Sequence, residues 1–136
     1  MNTFQLVSIS VPKTAAGTVS SGMLAWSLPQ GGIIDASYGI KWNPDTSVTA
    51  NDTNYSTYTL TRYRAASGTT LAARATTVAG TGFTANTPTA MTVDTAAVGK
   101  SLEVATGDLL VIGKVESGSG QAGGGCVSFR VILRHD

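Results

Sequence analysis

Apolar and polar residues alternate with a period of two in several segments of this chain. The clearest stripe consists of Ile34, Ala36, Tyr38, Ile40 and Trp42, with polar or small residues between them. Successive side chains of a β-strand point to opposite faces, whereas the apolar residues of an amphipathic helix recur every three or four positions. The pattern therefore predicts strands that each bury one face, and it restricts the fold to the all-β class.

Turn-forming residues separate the alternating segments, among them Ser67-Gly68, which is expected to break the chain between two strands. The strands are expected at residues 7–11, 24–28, 34–42, 55–65, 71–78, 89–94, 109–115 and 127–133. The helix candidate, residues 96–102, is no longer than a short turn. About eight short strands with turns between them are typical of an antiparallel sandwich or barrel. A chain of 136 residues is one domain by length, so residues 1–136 are predicted to form a single unit.

Charge is scarce in this sequence. Charged residues make up 12% of the chain, whereas ordinary soluble domains have about 25%. Two interpretations remain open: a bias of β-sandwiches towards Thr and Gly, or a surface that lies against other subunits, since uncharged groups lose water at lower cost. Nucleic acid is not an expected partner, because the nine Lys and Arg residues are scattered along the chain.

The sequence predicts neither a membrane segment nor a disulfide. No apolar run approaches the ~18 residues that a transmembrane helix needs. The first residues, MNTFQ, have no basic segment leading into an apolar stretch, so no secretory signal is expected. Cys126 is the single cysteine and has no partner for an internal disulfide. We therefore expect the chain to be made and assembled in a reducing cytoplasm.

Residues suited to catalysis are few, and the sequence predicts that the protein is not an enzyme. His135 and Cys126 lie on one predicted strand about 30 Å apart and on opposite faces, so they cannot form a dyad within one subunit. Most of the acidic residues lie at turns, where Asp commonly supports the backbone. Asp35 and Glu116 lie in strand-like segments and are the remaining pair for a glycosidase-like site.

Two loops carry groups that could bind a ligand, but no cofactor is predicted. Residues 43–54 offer oxygen ligands for calcium but lack a regular acidic spacing, so a solvated or partner-contacting loop is favoured and calcium stays open. The glycine-rich residues 117–125 precede a strand, whereas a phosphate-binding loop precedes a helix. A flexible hairpin loop is therefore expected there. No transition-metal site is expected, because the sequence has no cluster of Cys and His residues.

Three arginines form the main local concentration of positive charge. Arg62 and Arg64 share a strand face with Tyr58, and Arg74 follows on the next strand. Two interpretations are open: the arginines line a solvent-facing edge, or they bind the carboxylates of a partner subunit in a bidentate manner. Phe4 begins an exposed N-terminal strand that is able to pair with the edge of a neighbour. Arg62, Arg64, Arg74, Tyr58 and Phe4 are the candidate partner-binding residues.

The C-terminal third of the chain resembles the last two strands of viral jelly rolls. It reads LEVATGDLLVI at residues 102–112, then a Gly/Ser-rich segment, then VSFRVIL at residues 127–133. In this it is similar to the small decoration or cement proteins of tailed-phage capsids. The resemblance covers about a quarter of the chain.

The resemblance implies a jelly-roll sandwich with a structural role. Such a protein would bind the major capsid protein on the outside of an icosahedral head and stabilise the contacts between capsomers. It would assemble in the host cytoplasm, reside on the capsid surface of the virion, and form a dimer or trimer.

The alternative function is a receptor- or carbohydrate-binding β-sandwich of a phage tail fibre. Aromatic residues stack on sugars, and four are available for such a role: Trp26, Trp42, Tyr55 and Tyr58. Alternation places Trp26 and Trp42 in the core rather than on the surface.

Overall fold

The computed structural model describes residues 3–16, 20–27, 31–77, 82–93 and 102–133. The described residues form β-strands, turns and loops, and none of them is helical. The strands are β1 (Phe4–Thr14), β2 (Ser20–Ser27), β3 (Gly32–Ile34), β4 (Lys41–Pro44), β5 (Tyr55–Arg64), β6 (Ser67–Ala75), β7 (Thr89–Ala90), β8 (Thr92–Val93), β9 (Glu103–Val104), β10 (Leu109–Ser117) and β11 (Gly123–Leu133). A helix long and apolar enough to cross a membrane is not found among the residues described.

The strands form two antiparallel sheets. In sheet A, β11 pairs with β1 along one edge and with β3 and β4 in succession along the other, while β9 lies outside β3 and β7 outside β4. In sheet B the order is β2-β10-β5-β6-β8. The chain passes from one sheet to the other after β1, β2, β4, β6, β7, β8, β9 and β10, and its last strand lies beside its first. The predicted all-β fold, a sandwich of two antiparallel sheets, is confirmed.

The inner faces of the two sheets enclose one apolar core. Its centre is an aromatic cluster in which the rings of Trp42 (sheet A) and Tyr58 (sheet B) stack with centroids 4.2 Å apart, and Phe83 lies 6.1 Å from each. The prediction that Trp42 belongs to the core is confirmed, because its side chain is fully buried. The remaining core side chains come from both sheets and include Val7, Ile9, Leu60, Leu110, Ile112, Val127, Phe129 and Val131.

The stripe at residues 34–42 is not one strand, as its alternation predicted, but two strands with a turn between them. The carboxylate Oδ1 of Asp35 accepts hydrogen bonds from the Ser37 backbone N–H (3.0 Å) and the Ser37 hydroxyl (2.6 Å). Gly39 follows with a φ of 84°, which favours glycine. The turn preserves the alternation at both ends, since Ile34 and Trp42 both reach the core.

The break between the next two strands lies two residues earlier than predicted. The turn is made by Ala65 and Ala66, which have φ values of 48° and 69°, and Ser67-Gly68 already belongs to β6. A two-residue turn with positive φ at both positions matches the twist of the flanking strands. The backbone twist of β5 and β6 therefore selects this turn even though neither residue is glycine.

The alternation of β6 is weak because the strand contains a bulge. Leu60 pairs with Ala72 and Thr61 pairs with Thr70, so Leu71 is an extra residue in the ladder. Leu71 and Ala72 consequently both face the core, although they are adjacent in sequence. The strand ends at Ala75, and the predicted end at residue 78 lies outside the described residues.

The segment predicted as one strand at residues 89–94 divides between the sheets. β7 pairs with β4 in sheet A and β8 pairs with β6 in sheet B, with the buried Met91 between them. The predicted helical turn at residues 96–102 lies, apart from Leu102, outside the described residues, as does His135.

Candidate protein-binding surface

The outward face of sheet A exposes a row of apolar side chains. Phe4 of β1 pairs with Ile132 of β11, and Ile132 pairs with Ile33 of β3. Leu6 lies next to Phe4 on the same face of β1. We call the exposed Phe4, Leu6 and Ile33, together with the half-buried Ile132, the apolar row. The exposed fractions are 46% for Phe4, 65% for Leu6 and 48% for Ile33, which is unusual for large hydrophobic side chains.

An ion pair lies beside the apolar row. The Nε of Arg130 donates to Asp35 Oδ2 at 3.0 Å, and the same guanidinium lies 4.3 Å from the centroid of the Phe4 ring and 5.2 Å from that of Tyr38. The hydrogen bond from the Ser37 side chain and that from Arg130 lower the pKa of Asp35 to about 2. The carboxylate is therefore ionised at neutral pH and holds Arg130 against the rings.

A shallow cavity opens next to Ile33. It has a volume of about 250 Å³, several times the ~30 Å³ share of one water molecule. Its walls are mainly apolar, with two acidic residues among them. The lining residues are Ile33, Ile34, Asp35, Ala36, Ser37, Leu102, Glu103 and Ile132. The cavity is large enough to receive a side chain of another molecule.

Arg62 and Arg74 bind their own chain. The side chain of Arg62 is buried, and its Nη1 donates to the backbone carbonyl of Glu103 at 2.8 Å, which ties sheet B to β9 of sheet A. The Nη1 of Arg74 lies 3.4 Å from the carbonyl oxygen of Ala90. For Arg62 the interpretation as a solvent-facing edge is wrong, because β5 lies between β10 and β6 and this side chain is buried.

Arg64 lies at the end of β5 and is about half exposed. Its Nη2 donates to Asp108 Oδ2 at 2.6 Å. Its Nε lies 2.9 Å from Oδ1 and 3.2 Å from Oδ2 of the same carboxylate. The hydrogen bond from Arg64 holds the pKa of the buried Asp108 below its usual value. A bidentate grip on a carboxylate is present, but the carboxylate belongs to the same chain.

Of the remaining candidates, Tyr58 is buried and Phe4 is exposed. Burial raises the pKa of the Tyr58 hydroxyl above its usual range, and the stacked ring is inside the sandwich. Sequence reasoning missed Ile33 and Ile132. Each stands beside a core residue, Ile34 or Val131, and such adjacent apolar residues were the available signal of a strand that is apolar on both faces.

A buried polar cluster lies at the other end of sheet B. The Nζ of Lys114, which is fully buried, is 2.6 Å from Glu116 Oε1 and donates to the carbonyl of Gln121 at 2.8 Å. The hydroxyl of Ser56 donates to Glu116 Oε2 at 2.8 Å, and the Gln121 backbone N–H donates to the same oxygen at 2.9 Å. These groups hold the glycine-rich segment against β10 and β5. Ser56 is also buried, so the cluster is closed to a substrate.

The glycine-rich segment is not the predicted hairpin loop. It joins β10 of sheet B to β11 of sheet A and is therefore a connection between the sheets. Asp35 and Glu116, the candidate catalytic pair, form ion pairs with different residues: Asp35 pairs with Arg130, and Glu116 pairs with Lys114.

The polar loop at residues 43–54 uses several of its oxygen atoms to accept hydrogen bonds from the chain itself. The Oδ1 of Asp45 accepts from the Thr46 hydroxyl at 2.8 Å, and the Oδ1 of Asn51 accepts from the backbone N–H groups of Thr53 and Asn54, each at 2.8 Å. Val48 forms an isolated bridge to Phe83. Across the described parts of the chain, no group of three or more His, Cys, Asp and Glu residues is placed to hold a metal ion.

Comparison of the chain with protein families, with curated proteins and with solved structures found no match. Its function is therefore inferred from its sequence and its geometry. Among the described residues, the apolar row is exposed and adjoins a mainly apolar cavity. This surface is therefore suited to binding another protein.

Proposed function

We propose that this chain is a structural virion protein, a decoration or cement protein that binds the major capsid protein on the outside of an icosahedral phage head and stabilises the contacts between capsomers. The observation that carries the proposal is the apolar row, Phe4, Leu6, Ile33 and Ile132, on the outward face of sheet A. The two-sheet β-sandwich fold and the resemblance of the last two strands to viral jelly rolls support it.

The composition of this face suits a protein partner. Aromatic residues, large aliphatic residues and Arg are enriched at protein interfaces, and contiguous exposed apolar patches mark interaction sites. Phe4 and Leu6 project from β1, whereas the cavity beside Ile33 is concave. The face therefore offers both a projection and a recess, and interface energy concentrates in side chains that fill such pockets.

The scarcity of charge supports the same function. Arg130 is already paired with Asp35, so covering the apolar row does not require an unpaired charge to lose its water. We expect binding to the head to depend mainly on apolar contact. Raising NaCl from about 0.1 M to about 1 M should therefore weaken it less than about threefold, because salt screens charge pairs and leaves apolar contacts intact. Detachment of most copies at moderate NaCl would contradict an apolar interface.

Turnover is not part of the proposed function. The Lys114, Glu116 and Ser56 cluster has the residue types of a nucleophilic site, but its polar atoms lie inside the sandwich. Their contacts with Gln121 fasten the connection between the sheets. The cluster is thus explained by stability alone.

The alternative, a carbohydrate-binding module, has less support. Two of the aromatic residues considered for sugar stacking, Trp42 and Tyr58, are buried and stack on each other, so a sugar cannot reach their faces. Tyr55 is half-buried, and the side chain of Trp26 lies outside what the structure describes. Saturable binding on a glycan array would favour this function over the proposed one.

The test is co-sedimentation of the purified chain with empty heads of the phage that encodes it. Ile33→Ser should weaken binding, since it removes about 70 Å² of contact surface at ~25 cal/mol per Å², or about tenfold to thirtyfold in Kd. Val115→Ser is the matched control. The exposed fraction of Val115, 49%, is nearly the same as that of Ile33, but Val115 lies on β10 of the other sheet.

The two variants separate the possible outcomes. Loss of head binding with Ile33→Ser but not with Val115→Ser supports attachment through the apolar row. Equal loss with both variants, or none with either, shows that the row is not the attachment surface. Failure of the wild-type chain to sediment with heads overturns the proposed function.

A further inference from the structure

We infer that β1 pairs with β1 of a second copy of this chain, antiparallel and about a twofold axis, so that the two A sheets become one continuous sheet. β1 is 11 residues long and pairs with β11 along one edge. Among the residues that the structure describes, no strand pairs with its other edge. Within the described part of the chain, the backbone groups along this side of the strand therefore have no strand partner.

The direction of those backbone groups follows from the ladder between β1 and β11. The Leu133 N–H donates to the Thr3 carbonyl at 2.8 Å, so Thr3 turns its polar groups towards β11. Because the direction alternates along an antiparallel strand, Gln5, Val7 and Ile9 do the same. The N–H and C=O groups of the even-numbered residues face the free edge. These residues are Phe4, Leu6, Ser8 and Ser10.

This edge lacks the features that protect an exposed strand from pairing. Natural sheets guard their edges with charged residues, proline or bulges. No charged residue and no proline occurs from Thr3 to Val11. The pairing with β11 is continuous from Phe4 to Val11, and its register shift comes only between Val11 and Thr14. Pro12 and Lys13 therefore mark the end of the available edge.

A second copy fits the edge because the strand is complementary to itself. With Val7 on the twofold axis, Phe4 lies opposite Ser10 of the other copy and Leu6 lies opposite Ser8. The four resulting pairs form about eight N–H···O bonds, and no charge faces a like charge. Among the residues whose side chains the structure describes, Leu6 has the largest exposed fraction of the large hydrophobic residues, 65%. In this register it lies diagonally opposite Leu6 of the second copy, at a Cα separation of about 7–8 Å. The two leucines then lie side by side on the outward face of the joined sheet.

The pairing has a consequence that rests on the proposed function. The twofold axis is perpendicular to the joined sheet, so the outward faces of both A sheets lie on the same side. A dimer of this kind presents two copies of the apolar row to one surface. It is suited to bridge two neighbouring sites on a shell, where the second contact benefits from a high effective concentration.

The test is the mass of the purified full chain without heads, measured by light scattering and sedimentation equilibrium. We expect a dimer at about 0.1 mM, which requires a Kd in the micromolar range or below. Ser8→Pro removes an N–H that faces the free edge and places the proline ring there. It leaves the hydrogen bonds to β11 intact, since proline is tolerated on edge strands in this orientation. We expect this variant to be folded, with the dimer Kd raised by about 100-fold or more, so that monomers predominate at about 10 μM, where a wild-type chain with a Kd of about 1 μM is still mainly dimeric.

Ser8→Thr is the matched control, because it changes the same residue but keeps the N–H, and it should remain a dimer. A monomeric wild-type chain overturns the inference, and so does a dimer that Ser8→Pro leaves intact. If Ser8→Pro does not fold, amide hydrogen exchange of the wild-type chain decides: the amides of Leu6, Ser8 and Ser10 should exchange slowly in the dimer and rapidly on dilution. Rapid exchange of these amides in the dimer contradicts the pairing.

Failure of this inference is distinguishable from failure of the proposed function. The mass of the free chain tests the pairing of β1, and sedimentation with heads tests attachment. Ile33→Ser should stay dimeric and lose head binding, because Ile33 lies on β3, away from the β1 edge. Monomeric wild-type chains that bind heads overturn the pairing alone, whereas dimers that do not bind heads overturn attachment alone.

Discussion

The buried pair of Lys114 and Glu116 allows a quantitative prediction of stability. Both side chains are almost completely buried, with Nζ and Oε1 2.6 Å apart. Taking an ion from water into a protein interior costs several kcal/mol, and the pair persists because each charge neutralises the other. Lys114→Met keeps the length of the side chain but removes its charge. Glu116 is then left as a buried carboxylate with two hydrogen bonds, from Ser56 and Gln121, and no cation.

The cost of this substitution follows from two losses. Removing one partner of a buried ion pair destabilises a protein by about 3–5 kcal/mol. The Gln121 carbonyl also loses the donor at 2.8 Å, which adds roughly 1 kcal/mol. Since domains of this kind unfold with about 5–15 kcal/mol, Lys114→Met should remove a large part of the stability.

The double variant Lys114→Met/Glu116→Gln tests the electrostatic origin of that cost. Gln keeps an oxygen to accept from Ser56 and Gln121, but no charge remains buried. Glu116→Gln alone leaves Lys114 buried without its anion and should cost about 3–5 kcal/mol by the same reasoning. We expect the double variant to lie within about 2 kcal/mol of the wild-type chain, so the magnitude of the coupling energy of the cycle should be about 5 kcal/mol or more. Urea unfolding at pH 7, followed by circular dichroism, measures all the free energies required.

The cycle is decisive because packing and charge predict different results. If Lys114 contributed mainly by filling space, Lys114→Met would cost little and the second substitution would not restore stability. A single-variant cost below about 1 kcal/mol, or a coupling energy near zero, would refute the electrostatic reasoning.

Two further predictions concern a charged group and a turn. The hydrogen bond from the Ser37 side chain, and after it that from Arg130, lowers the pKa of Asp35 to about 2. The ionised form of Asp35 therefore stabilises the fold. This stabilisation is complete above the pKa of Asp35 in the unfolded chain and is lost as the pH falls from about 4 towards 2. The difference in unfolding free energy between the wild-type chain and Asp35→Asn should therefore shrink over that pH range. Urea titrations at several pH values measure this difference. Replacing Ala65-Ala66 by Asn-Gly should stabilise the chain by about 1 kcal/mol and raise Tm by about 2–4 °C, since both positions have positive φ. A lower Tm in calorimetry would contradict that turn geometry.

Much of the secondary structure could be predicted from the sequence. Alternation located β1, β5, β10 and β11, because the period of side chains along a strand is a local property. The division of the stripe at residues 34–42 was not visible, since Asp35 and the glycine that follows make a turn without interrupting the alternation. The bulge at Leu71 was hidden for a related reason: it is defined by the residues opposite it on β5.

The candidate surface was predicted less well than the fold. Phe4 was expected to face a partner and is exposed on the apolar row, whereas Tyr58 is inside the core. The arginines of β5 were read as surface charge, but Arg62 reaches Glu103, which is 41 residues away along the chain. A residue's exposure depends on which distant strand covers it, and the sequence around Arg62 carries no sign of that neighbour.

By itself, the sequence determined that this chain is a β-sandwich with few charges, since side-chain alternation and composition are properties of short segments. Only the tertiary structure decided which apolar residues stay outside the core. Ile33 and Ile34, or Ile132 and Val131, are nearly equal in hydrophobicity, but the pleat sends one of each pair into the core and the other to the surface. Pairing with β11 fixes that choice, because a shift of register by one residue would exchange the two faces.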